Sequence, residues 1–156
     1  FDKAEKAGVA SLTHHLLDLG VVGMSEDEIA RSLADIGAQL SGGVGQDRAS
    51  VSLRTLSSVA ERKQALSVMA KVLQQPVFSE AVLTREKTRR IAALKEEETR
   101  PGSIVGKAFK KAVYGAHPYG VPLSGDIASV EKITAQDLRN FYQEYYRAGS
   151  AVVAIM

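Results

Sequence analysis

Ala38-Gln39-Leu40-Ser41-Gly42-Gly43-Val44-Gly45-Gln46-Asp47-Arg48-Ala49-Ser50-Val51-Ser52-Leu53-Arg54-Thr55 is the stretch on which the fold class turns. In its second half Ala49, Val51, Leu53 and Thr55 alternate with Arg48, Ser50, Ser52 and Arg54. A period of two sends each set to its own face, so this half predicts a half-buried strand. Residues 38–44 predict its antiparallel partner, with the chain turning through Gly45-Gln46-Asp47. Glycines at 42 and 43 leave that first strand poor in side-chain packing but open to close approach.

On both sides of this hairpin the period returns to that of a helix. Before it, Leu12, Leu16 and Leu19 predict a helix over 7–19, stopped by Gly20. Ser25-Glu26-Asp27-Glu28 is a capping box, and Ile29, Leu33 and Ile36 give the helix it starts one apolar face. After it, residues 59–74 predict a helix with Ala65, Leu66, Met69, Val72 and Leu73 inward, broken at Pro76. A long charged helix follows over 79–98, with Arg85, Lys87, Arg89 and Arg90 early and Glu96, Glu97 and Glu98 late. That order opposes the helix dipole, so tertiary contacts must help to hold it. A further helix is expected over 102–113, then an ordered Gly/Pro-rich loop over 114–125. Thr134 caps a last helix, on which Leu138, Phe141, Tyr142 and Tyr145 read as core packing. Ala151-Val152-Val153-Ala154-Ile155-Met156 has the pattern of a buried strand. Helices around a hairpin with an isolated terminal strand predict an α+β sandwich, with helices packed on a mostly antiparallel sheet. Residues 1–156 are expected to form one partial domain, with further strands before residue 1 and a continuation after residue 156.

The composition narrows the chemistry. Zero cysteines among 156 residues exclude disulfides, Cys-type zinc sites and thiol nucleophiles. With three histidines, any His-rich metal site would use nearly all of them. Twenty basic against eighteen acidic residues give +2, too small and too scattered an excess for a nucleic-acid binder. No apolar run reaches the length of a membrane span, and the opening residues carry no signal-peptide pattern. The compartment, bacterial cytoplasm or periplasm, stays open.

Candidate chemistry is sparse. His14 and Asp18 are one helical turn apart and could face one ion, while His15 points about 100° away. The plainer reading puts these residues on the exposed side of an amphipathic helix. His117 could act as a loop base, but its setting before Pro118 suits a residue that fixes a turn. Gly42-Gly43-Val44-Gly45 lacks the Lys-Ser/Thr of a phosphate loop and leads towards a strand, not a helix. The 85–98 charges read as a solvated face.

Taken together and in order, several pieces resemble a family. Gly8-Val9-Ala10-Ser11-Leu12-Thr13-His14-His15 resembles the opening helix of the pitrilysin/insulinase/mitochondrial-processing-peptidase metallopeptidases. Ile36-Gly37-Ala38-Gln39-Leu40 is similar to their strand entry, and Pro76-Val77-Phe78 and Arg85-Glu86-Lys87 match around the charged helix. Tyr114-Gly115-x-His117-Pro118-Tyr119-Gly120 and Leu138-x-x-Phe141-Tyr142-x-x-Tyr145-Tyr146 complete the series. The resemblance spans essentially the whole chain.

It implies a processing-peptidase-like α/β sandwich and, in active members, an inverted zinc motif His-x-x-Glu-His. There two histidines bind zinc from one helix face, the Glu activates water, and a distal Glu on the charged helix completes the ligands. On this chain the first histidine falls on Ser11, the base on His14 and the second histidine on His15. The distal Glu falls at Ala92 or Ala93. Only His15 keeps its type, so the resemblance implies no catalytic residue and no metal ligand set in this domain. Zinc is then expected only in a homologous catalytic subunit or fused half, with this unit lining the peptide chamber. Ser41, Gly42 and Gly43 are the expected peptide contacts, through backbone pairing. Two alternatives stand beside it: a scaffold subunit without proteolysis, and an atypical metallohydrolase using His14 and Asp18.

Overall fold

The alternating stretch folds as a hairpin of β1 (Gln39–Val44) and β2 (Ala49–Arg54), paired from Gln39 opposite Arg54 to Val44 opposite Ala49. The Gly45 N–H donates to Arg48 O at 2.7 Å and closes the turn where the sequence placed it. Leu40, Val51 and Leu53 pack from one face of the hairpin onto the core. This computed structural model describes residues 2–156.

Helices surround the hairpin. They are α1 (Val9–His15), α2 (Glu26–Ala34), α3 (Val59–Gln74), α4 (Glu80–Glu97), α5 (Pro101–Tyr114), α6 (Ile127–Lys132) and α7 (Ala135–Tyr145). Three have complete capping boxes, at Ser25/Glu28, Asp126/Ser129 and Thr134/Asp137. Each box satisfies N–H groups that the first helical turn leaves without partners. Leu12 and Leu16 from the α1 segment meet Val72 of α3, Leu83 and Leu94 of α4, and Leu138 of α7 in one core. The architecture is the expected α+β class, helix-rich with a small antiparallel sheet.

Long-range polar contacts hold α4 despite its unfavourable charge order. Lys87 donates to the carbonyls of Glu131 and Ile133 at 2.7 and 2.8 Å, and Arg85 pairs with Glu26 of α2 at 2.7 Å. The 114–125 loop is ordered, as expected. His117 Nδ1 accepts from the Tyr119 N–H, fixing a short turn over Pro118–Gly120. The loop returns to the start of α1 at Gly125, where φ is 72° and a Cβ would stand 2.3 Å from Ala7 O.

Several expectations need correction. The first helix ends at His15 instead of 19: residues 16–18 unwind into turns, with Leu16 and Leu17 buried in the core. In α3 the inward residues are Ala65, Val68 and Val72, while Leu66 is exposed. The charged helix is not simply a solvated face, since Glu86 is buried. Helix α6 was not anticipated; its box uses Asp and Ser in place of the usual Ser/Thr and Glu. Residues 151–156 form no strand, and Val152, Val153 and Ile155 are exposed. A strand is stabilised through the ladder it shares with a neighbour, and among the described residues none lies beside this segment.

One helix stands apart. Helix α5 buries none of its residues, and Ile104, Val105, Phe109 and Val113 are all exposed.

Candidate functional site

His14 and His15 are adjacent in α1, and successive helical positions diverge by about 100°. The two rings therefore reach different neighbours.

His14 turns towards β1 and α7. Its Nδ1 and the Tyr146 hydroxyl form a hydrogen bond of 3.1 Å. Its Nε2 lies against Gly42, where an added Cβ would be 2.8 Å from that nitrogen and 2.3 Å from Ser50 O. Of the two glycines expected to allow close approach, Gly42 does so, meeting an imidazole on one side and backbone on the other, while Gly43 has nothing within 4 Å. Burial lowers the His14 pKa and the neighbouring His15 adds to this, outweighing the pull of Asp18. Burial likewise pushes Tyr146 up to about 12. Both groups are neutral at neutral pH, so this is an uncharged contact. The expectation of a wholly exposed polar face fails for His14, which is half-buried.

His15 turns towards α4. Its Nε2–H donates to Glu86 Oε2 at 3.0 Å, while Glu86 Oε1 accepts from Arg85 at 2.7 Å and from Arg89 at 2.8 Å. Burial alone would raise the Glu86 pKa. The bonds from His15 and Arg85 and the charge of Arg89 prevail and hold it below the ordinary carboxylate value. One helical turn before His15, Ser11 Oγ accepts from Arg90 at 3.2 Å. Ala92 and Ala93 are exposed and offer no donor atom.

The structure brings Ser11 and His15 to the same α4 face but does not make them a metal site. His15 Nε2 is engaged by Glu86, and a guanidinium stands against Ser11, where it would repel a dication. Among the described residues no three or more His, Asp or Glu side chains are placed to hold a metal ion. His14, His15 and Asp18 border one cleft of about 140 Å³ with Leu40, Ser41 and Gly42, yet they do not converge as ligands. The residues present do not fit catalytic zinc. A larger groove of about 530 Å³ lies between Gly20–Asp27 and Val77–Arg85 and gathers none of the site residues expected from sequence.

Sequence reasoning missed Glu86, Arg90 and Tyr146 as members of this site. The only early signal was the inverted charge order of α4, which demanded partners without naming them.

A family model described as insulinase, peptidase family M16, matches residues 1–127. The chain belongs to the M16 peptidase family. An M16 inactive domain from Pseudomonas fluorescens superposes with a TM-score of 0.85 at 35% identity, over 87% of this chain and 33% of that one. A protease from Helicobacter pylori shares the fold, with a TM-score of 0.84 at 18% identity over 94% of this chain and 35% of its own. An uncharacterized zinc protease of Rickettsia felis is 21% identical over 99% of the chain and 37% of its own length. This M16 chain therefore spans about a third of the length of these relatives.

Proposed function

We propose that this M16 chain is the non-catalytic unit of a zinc protease, assembling with a homologous zinc-bearing unit and lining its peptide chamber. The observation that carries the reading is the network at the family's ligand positions. Ser11 is bonded to Arg90, His15 to Glu86, and Ala92 and Ala93 have nothing to donate. In place of metal ligands, hydrogen bonds from His15 to Glu86 and from Arg90 to Ser11 join α1 to α4.

Two further features support it. The similar Pseudomonas fluorescens structure is described as an inactive M16 domain. The exposed apolar side of α5 is surface of the kind that protein interfaces cover. For the chamber, β1 is the relevant element: among the described residues it pairs only with β2, so its other edge can accept an extended peptide by backbone pairing.

The test mixes the purified protein with an M16 homologue of the same organism that carries an intact His-x-x-Glu-His motif, and measures bound zinc and peptide hydrolysis. The chain alone should hold no stoichiometric zinc and cleave nothing, and its addition should raise hydrolysis by the partner at least tenfold. Stoichiometric zinc with hydrolysis by the chain alone, or a partner indifferent to its addition, would sink the reading.

A further inference from the structure

Helix α5 has little of the described protein to fold against. It is 14 residues long, buries none of them, and makes its main contact with the Pro118–Gly120 turn just beyond it. Gly102 and Gly106 weaken it, and Ile104, Val105 and Val113 are β-branched. A lone helix of that length and composition is marginal in water, so its order calls for a covering surface.

The residues of the helix state what that surface must offer. Along the i, i+4 rows, Ile104, Ala108 and Ala112 lie beside Val105, Phe109 and Val113, and all are exposed. Lys107 and Lys111 make the next row on one flank, and Lys110 follows Gly102 and Gly106 on the other. Lys107 comes within 3.5 Å of Glu97, but among the described residues no carboxylate is paired with Lys110 or Lys111. No Asp or Glu occurs from Thr99 to Gly125. The apolar side thus has a basic border that its own segment leaves uncompensated.

A bilayer, a second copy or a partner helix could cover such a side, and the small residues and the charge decide between them. Adherence to a bilayer grows with the apolar area inserted, to which two alanines and two glycines add little. Against another helix the same residues let the backbones come closer, and at Gly102 and Gly106 an added Cβ would meet nothing within 4 Å. A second copy would bring the same lysines and no acid to meet them.

We propose that α5 docks an amphipathic helix of the zinc-bearing partner. The apolar side of that helix packs on Ile104, Val105, Phe109 and Val113, and its bordering carboxylates pair with Lys110 and Lys111. This rests on the reading of the chain as a non-catalytic unit that assembles with such a partner, and adds where and by what chemistry the two meet.

The experiment takes the full-length protein and the M16 homologue with an intact His-x-x-Glu-His motif. It reads the dissociation constant of their complex by isothermal titration calorimetry, with urea denaturation of every variant alongside. Phe109→Asp should weaken the complex roughly a hundredfold, as loss of a central aromatic anchor does. Lys110→Gln combined with Lys111→Gln should weaken it about tenfold at low salt. Wild-type affinity should fall towards that of the double variant as NaCl rises from about 50 to 500 mM. Leu66→Asp, at an exposed apolar position of α3, should leave affinity unchanged, and no variant should lose stability. If the complex forms and the α5 variants bind as well as wild type, assembly stands and the docking assignment alone fails. If wild-type protein forms no complex, both fail. Salt-independent affinity overturns the acidic partner helix, and a loss at Leu66→Asp equal to that at Phe109→Asp overturns the choice of α5. An α5 variant that loses stability instead of affinity shows that the helix is covered within its own chain. Binding through α5 to vesicles of equal phosphatidylcholine and phosphatidylserine shows that the cover is lipid. Either result overturns the proposal.

Discussion

The two sides of α1 have diverged in opposite directions. Towards α4 the side is ionic: Glu86 is 5% exposed and joined to His15, Arg85 and Arg89, and Arg90 holds Ser11. Towards β1 the side is neutral and sterically tight, with His14 wedged between Tyr146 and Gly42. On the α4 side, the bonds from His15 to Glu86 and from Arg90 to Ser11 join α1 to α4. The neutral side borders the strand proposed to meet peptide, and there the requirement is shape. One half of the site is thus held by polar and charged contacts, while the other half is constrained by packing.

The sharpest way to break this contrast is at Gly42. Gly42→Val should cost about 3 kcal/mol in urea denaturation, because the side chain meets Ser50 O and the His14 ring and neither backbone nor buried imidazole can yield cheaply. Gly43→Ala, one residue along with nothing within 4 Å, should change stability by no more than about 0.5 kcal/mol. Equal effects at the two glycines would show that the tight approach to His14 is unimportant.

On the ionic side, Glu86→Ala should cost about 2 kcal/mol. It leaves the Arg85 and Arg89 guanidiniums facing one another and His15 without its acceptor, although exposure to solvent softens the repulsion. The loss should grow at low salt and shrink at high salt, whereas that of Gly42→Val should be indifferent to salt. A salt-independent loss at Glu86 would mean that packing, not charge, holds α1 to α4.

Acid titration gives the smallest effect and separates the sides by pH. The folded pKa of His14 is depressed below 6.5, so its contribution is complete above that value and is lost as pH falls below it. The folded pKa of Glu86 is depressed below 4.5, so its contribution persists to lower pH and is lost only beneath that value. Stability followed by urea denaturation should therefore fall in two windows. His14→Gln should flatten the upper one and leave the lower untouched; a variant that kept both would disprove the assignment.

Much of the fold was legible because its signals are local. The alternation over 48–55, the glycines at 42 and 43, and the boxes at Ser25 and Thr134 each state a period or a cap within a few residues. The expected family positions Ser11, His14, His15, Ala92 and Ala93 were likewise assigned by order and spacing. Helix α6 was missed because Asp126 and Ser129 reverse the usual box chemistry, with the acid at the cap. The terminal apolar run was misread because hydrophobic pattern states a strand's preference for burial and says nothing of whether a neighbour is there to receive it.

The sequence by itself determined the order of most helices, the hairpin and the family. Only the tertiary structure decided which polar side chains meet around α1. The contacts of His14 with Tyr146, His15 with Glu86 and Ser11 with Arg90 join residues 132, 71 and 79 positions apart. Such pairs follow no local period. They exist because the shared leucine core sets α1 against α4 and α7 in one orientation, and that packing selects which polar groups meet.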